Sequence, residues 1–554
     1  EASITGASAA DKATIVAASV EVSAEDGSHI TANAGAAAVA AAIGAVGVSV
    51  SFGVAIAKNT IANDVDAHLD FADVSVTDIP IHDPTYQGLT DPHPGQETNR
   101  PSQAPAPGKI SVSAKENATI NAISAAAAIA ISGGAAGVSV AGGGAVATNV
   151  ILGATRAYAL TSSLDAGGDI AFSAGNTSEI NATIVAAAGG VAIGGVAVGA
   201  SLGFGVALNS IGYHVDGSRS AVEVSAYVSD SDVRTYGKLG VLAQSSQTIQ
   251  ANVAAASVAV SAGAYAFSAA GAGAVTLNRV GVVAHGFIDG GTVTAGDIAI
   301  AASVTPSIDA FAGAAAVALA FGFGGGSSSV ALGVAYAENL IANDIAAYAA
   351  DADITVTGRM PIQSNRYIYT VPGAGPTYLP RVMPAYQANS GSFSITAKEN
   401  ATLSSVALMA SLAASTDFGV TVSGGGAVTK NTASSNTSVR ISGGTVDVNG
   451  SLTMSARDVT TVTTEVDAIS LAIGIFSLAA GGASAESYVN SGVSADITDT
   501  RITAGAVDVE AVMTPKARSQ AAGVNAGVAA VGVSLAKAKV DTHVSVRTSG
   551  TVFT

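Results

Sequence analysis

The residues best suited to recognition chemistry cluster in one proline-rich stretch, RMPIQSNRYIYTVPGAGPTYLPRVMPAYQANSG at 359–391. It holds Arg366, Tyr367, Tyr369, Tyr378, Arg381 and Tyr386, with Arg359 at its start. Tyr and Arg supply contact area and directed donors at binding surfaces, and a Tyr ring can stack on a sugar. The plainer reading is a loop that folds back and covers the body with its aromatics. A second proline-rich stretch carries His82 and His93 beside Asp83 and Asp91, donors that could hold a metal or remain solvated. Asn63-Asp64-Val65-Asp66 and Asn343-Asp344 could bind calcium near a strand end. No DxDxDG loop or GGxGxDxxx array supports that, and turn-capping by Asn and Asp explains the same residues. We therefore expect no cofactor, with calcium possible in principle but without a motif.

Other chemistries find less support. GGAAG at 133–137 and GFGGG at 322–326 lack the Lys-Ser/Thr of a phosphate loop. The chain contains no Cys, hence no disulfide framework and no thiolate metal site. A net charge of −17 without a Lys/Arg cluster argues against nucleic acid as a partner. A polysaccharide lyase or hydrolase would need acids converging on an exposed face. The alternating segments carry small neutral residues there instead, so no enzyme is expected.

One further set of residues recurs by position. Asn59, Asn149, Asn209, Asn278, Asn339 and Asn431 each close a run of alternating small and large apolar residues. Nine residues after four of them stands a ring: His68, Tyr158, Phe287 and Tyr348. Identical residues at matching places stack only if the chain winds as a solenoid. Stacked asparagines would link amide to amide, inward or along the stack, and leave little capacity for a ligand.

The elements that position these residues read as strands. In Val46, Val48, Val50, Phe52, Val54 and Ile56 the large residues hold one parity; Gly47, Ser49, Ser51, Gly53, Ala55 and Ala57 hold the other. Period two places each set on one face of a strand, and we expect the large set to fill a narrow interior behind a flat, small-residue exterior. Residues 33–57 are long enough to cross a bilayer as a helix. The alternation, the lack of Trp and the absence of a Lys/Arg-rich flank argue against spanning helices and against a barrel.

These observations predict an all-β fold, an elongated parallel β-solenoid of about eight repeat units with two Pro-rich insertion loops. Unit openings fall near Val20, Ile110, Ile170, Leu239, Ile298, Phe393, Leu452 and Val507. The organisation is unit one with the N-terminal edge at 1–78, an insertion at 79–108, and units two to four at 109–297. Unit five follows at 298–358, the second insertion at 359–391, and units six to eight at 392–554. The insertions hold 12 of the 14 prolines, which a central strand cannot accommodate. A higher repeat relates AKNTIANDVDAH at 57–68 to AENLIANDIAAY at 337–348, as expected from duplication of a four-unit block. Long strands favour one wide turn per unit. Patterned sequence runs from Glu1 to Thr554, which reads as a segment of a longer protein.

The run ISVSAKENATI, AAAAIA, GVSVAGGGAVATN, a ring residue and TVTAGD resembles the repeats of large filamentous adhesins of Gram-negative bacteria, of the leukotoxin-like and filamentous-haemagglutinin-like kinds. The resemblance covers nearly the whole chain outside the two insertions. It implies an exported β-solenoid at the bacterial cell surface whose partners are cell-surface or glycan ligands, and it brings no catalytic residue. The reading of function that follows is a structural segment of a secreted fibre or adhesin. The alternatives are a self-assembling matrix or sheath component that binds copies of itself, and a polysaccharide-active β-helix enzyme.

Overall fold

A computed structural model describes residues 1–76, 108–362, 385–388 and 390–554. Among these residues there is no helix, and one unclosed sheet gathers 26 strands. Its neighbours pair in parallel, rung on rung, as an elongated β-solenoid. Val20 pairs with Ile110, Ile110 with Ile170, Ile170 with Leu239 and Leu239 with Ile298. The line continues from Ile298 to Phe393, Leu452 and Val507. Each repeat thus contributes one rung: Asn149 lies 60 residues before its partner Asn209, and Asn59 lies 90 before Asn149 because an insertion intervenes. Ala2–Thr5 and Ala13–Ala17 pair ahead of the first opening strand, against 67–70 and 72–76.

Each rung has a base and a wing. In the base, opening strands send alternate apolar residues inward: Ile110, Val112 and Ala114 are buried, while Ser111, Ser113 and Lys115 face out. Phe172, Phe393, Ile120, Ile180, Leu69 and Leu164 are among its largest fully buried side chains. Burying one such side chain stabilises the fold by roughly 1.5–3 kcal/mol.

In the wing, each rung runs outward along one wall, bends and returns along a second. In the first rung the bend lies near Gly44, and both walls belong to the paired segment His29–Asp70. The walls nearly touch. A Cβ on Gly143 would lie 2.2 Å from the Ala187 carbonyl oxygen, and one on Gly203 2.3 Å from that of Ala256. Gly, Ala and Ser predominate between them, and the larger Met409, Val253 and Ile184 are accommodated opposite the glycines Gly333 and Gly205. Hydroxyl pairs bridge the gap, Ser201 to Ser257 at 2.7 Å and Ser411 to Ser423 at 2.8 Å.

This geometry overturns the expected parity. Val46, Val48, Val50, Phe52, Val54 and Ile56 point outward and are all more than half exposed, whereas Gly53, Ala55 and Ala57 point inward. The alternation is real, but the small set dominates the interior of the wing because the walls approach closely, and a larger side chain such as Met409 enters where a glycine, Gly333, faces it.

The base turns a corner at a left-handed residue in every rung: Phe71, Thr161, Asp230, Gly290, Asp351, Gly443, Asp499 and Gly550, with φ between 47° and 70°. Asp and Gly tolerate this conformation better than bulkier residues. The corner amides stay in the ladder: Asp230 N–H donates to the Asp289 carbonyl and Gly290 N–H to that of Ala350. Just past this corner, Ser75, Asp165, Arg234, Thr294 and Thr355 share one column. The strands that lead into the two insertions therefore lie on one side of the stack, four rungs or roughly 19 Å apart.

Candidate functional site

The six asparagines form one hydrogen-bonded line inside the stack. Asn59 Nδ2 donates to Asn149 Oδ1 at 2.7 Å, Asn149 to Asn209 at 2.8 Å and Asn209 to Asn278 at 2.8 Å. Asn278 donates to Asn339 and Asn339 to Asn431, both at 2.7 Å. Asn431 ends the line on the Thr463 carbonyl and the Thr464 hydroxyl. All six are buried. Each interior member both donates to and accepts from a neighbouring amide, so the line has a structural use already and offers no directed group to a ligand.

The rings form a second line on the outside of the base. His68, Tyr158, Tyr227, Phe287 and Tyr348 stack with centroids 4.7–4.8 Å apart and planes within 3°. Arg440 continues the line over Tyr348, 5.0 Å from its centroid. Sequence spacing misses Tyr227, which follows Asn209 by 18 residues because an inserted turn around Gly212 and Gly217 delays it. Within this line each ring face is covered by the next, so stacking a sugar on a ring face is closed and only edges and hydroxyls point outward. Burial pushes the Tyr227 hydroxyl up to about 12. Arg156 ties neighbouring rungs beside the rings, 3.4 Å from Asp66 and 2.8 Å from Glu223.

The Asn and Asp residues considered for calcium are hydrogen-bond partners within the fold. Asn63 Nδ2 donates to Asp26 and to the Ser28 hydroxyl. Asn343 accepts from the Val282 amide and donates to Glu399. Asp344 lies 3.7 Å from His285, whose proximity holds the carboxyl below its ordinary range. Among the described residues no group of three or more His, Asp or Glu could hold a metal ion. His82, Asp83, Asp91 and His93 lie outside the described residues, as do Arg366, Tyr367, Tyr369, Tyr378 and Arg381. Tyr386 belongs to a short strand, Ala385–Ala388, that pairs antiparallel with Arg359–Ile362 and forms a two-stranded stem to the second insertion.

Sequence reasoning did not single out three buried carboxylates. Glu116 accepts from Thr155 at 3.0 Å and Asn176 at 2.8 Å, and burial pushes it up to about 7 against those hydrogen bonds. Glu399 and Asp458 occupy paired positions in adjacent rungs. Burial raises both, and the charge of Asp458 raises Glu399 further. Glu399 accepts from Asn343 and Ser435, and Asp458 from the Thr460 hydroxyl. The available signal was parity: Glu116 lies between inward Ala114 and Ala118, and Glu399 between inward Ala397 and Ala401.

A concave outer surface on the opening strands is lined by Ser113, Lys115, Thr177, Gln244, Ser303 and Thr305. It offers hydroxyl and amide groups without an aromatic platform. No protein-family model, no curated protein and no solved structure matches the chain.

Proposed function

We propose that the chain is a structural segment of a secreted bacterial surface fibre or adhesin, a stiff rod that displays its insertions for contact with cells or glycans. The observation that carries this reading is the single register running from Val20 to Val507, reinforced by the amide and ring lines. Such a stack resists shear between rungs, because sliding one rung would break every ladder hydrogen bond and both side-chain lines together. The interior carboxylates Glu399 and Asp458 are enclosed by the stack and hydrogen-bonded to it, which suits a supporting role. The two insertions rise from one column, and the second has a paired stem that holds its ends together. The resemblance to filamentous adhesin repeats agrees with display at the cell surface.

The test is binding of the purified chain to cells and to immobilised glycans, before and after deletion of residues 361–388. Binding that disappears while the melting temperature holds supports the display role. Unchanged binding with a collapsed melting temperature would assign that insertion to covering the solenoid.

A further inference from the structure

The returning wall of the wing presents an apolar face that the rod itself does not use. We infer that this wall pairs face to face with the same wall of a second copy of the chain. The inference goes beyond display by the insertions and does not depend on it.

The first argument is size. The outward positions of the wall are those of Val46 to Ile56 and their partners in the following rungs, ending at Leu535. Ten residues along a strand and seven rung spacings give a face of roughly 33 by 34 Å, or about 1,100 Å². A specific interface buries about 800 Å² per partner, and the largest apolar patch on a typical monomer is about 300–600 Å². The wall alone is large enough for a stable dimer.

Composition is the second argument. No charged residue occupies this face between Val46 and Ile56 or at the paired positions of the later rungs. Charge returns at its edge, where Lys430 stands 3.9 Å from Glu338. An apolar face with charge along one edge matches the apolar centre and polar rim of a protein interface on that side.

The third argument is relief. Down one column the residues are Phe52, Gly142, Leu202, Gly271, Leu332 and Gly424. The next column repeats the alternation with Val54, Gly144, Phe204, Gly273, Val334 and Gly426. Large side chains lean over the glycine of the following rung: a Cβ on Gly142 would fall 2.5 Å from the Phe52 ring, and one on Gly273 2.6 Å from the Phe204 ring. These two columns are levelled by this arrangement over six rungs, as packing of one flat sheet on another requires. A partner must be flat, apolar and equally long in the rung direction, and another copy of this wall meets all three conditions. Because both partners use the same patch, the pair closes on itself.

Sedimentation of the 554-residue chain over a range of concentrations tests the inference. The expected result is a dimer that dissociates on dilution. Leu202→Lys with Leu332→Lys places charges at the centre of the wall and should raise the dissociation constant more than about 100-fold. Both side chains are at least half exposed, so the β circular dichroism signal and melting temperature should persist. Thr177→Lys, on the polar face of an opening strand, should leave the dimer intact. A wild-type chain that stays monomeric at every concentration overturns the inference, as does a double variant that still dimerises. Monomeric wild-type chain that binds phosphatidylcholine vesicles, with binding lost in the double variant, would overturn it in favour of a lipid surface.

Discussion

Base and wing share one register and one period-two alternation, yet they bury opposite members of it. In the base, Phe172 and Ile180 lie inside and Ser173 and Glu179 face outward. In the wing, Gly203 and Gly205 lie inside and Leu202 and Phe204 face outward. The difference follows from the distance between facing walls. The base encloses a volume that large side chains must fill, and its stability comes from apolar area removed from water. The wing brings two sheets nearly into backbone contact, so its stability comes from ladder hydrogen bonds, dispersion between close walls and hydroxyl pairs across the gap. One region is sensitive to losing atoms, the other to gaining them.

Substitutions at the two interiors give the largest contrast. Gly203→Val should cost about 3–5 kcal/mol or block folding of the wing, because the new side chain meets the Ala256 carbonyl and the opposite wall cannot retreat. Phe172→Ala should cost a similar amount, about 3–5 kcal/mol, by leaving a cavity. Chemical denaturation of both variants checks the pair, and a Gly203→Val protein of wild-type stability would show that the walls can open.

The next effect lies in the base. The unfolded chain releases the Glu116 proton near 4.5, whereas the folded chain holds it to about 7. Between those values the folded state carries more protons, so this group's contribution to stability falls as pH rises through that window and is lowest above 7. Glu116→Gln keeps an acceptor for Thr155 and Asn176 and removes the titration. Relative to wild type it should gain stability progressively from pH 4.5 to 7, by up to about 3 kcal/mol. Parallel pH profiles of the two proteins would refute this account.

Asn209→Ala interrupts the amide line and should cost about 1–3 kcal/mol, since Asn149 loses its acceptor and Asn278 its donor. The smallest effect should come from the outside of the wing. Phe204→Ala, measured at concentrations where the chain is monomeric, should change stability by under about 1 kcal/mol. Set against Phe172→Ala it isolates position within the fold from residue type, and equal losses at the two sites would erase the distinction between base and wing.

Much of this architecture was legible in the residues. The recurring asparagines fixed which segments stack, and the eight opening residues fell on one line. What the alternation could not convey was its sense. A period of two says that two faces differ, not which one looks inward, and Gly, Ala and Ser suit a thin interior as well as a flat exterior. Tyr227 escaped because an inserted turn shifted its spacing, although its Tyr-Val-Ser-Asp context leads into the same left-handed corner as Phe287-Ile-Asp-Gly. Glu116 and Glu399 escaped because AKEN reads as a polar surface motif until the parity of its neighbours is followed inward.

The alternation of Asp with Gly at the corner limits how such a chain can be lengthened or shortened over generations. Asp351 lies over Gly443, where an added Cβ would fall 2.0 Å from its carboxylate oxygen, and Asp499 lies over Gly550 in the same way. The Phe and Leu columns of the wing keep the same beat of two over the first six rungs. Within the rungs where both alternations run, deleting a single rung would set Asp against Asp and large residue against large residue, while deleting two would restore the Asp–Gly and large–Gly contacts. Genes encoding this stack should therefore change length in even steps, and a four-rung duplication is one that leaves no seam.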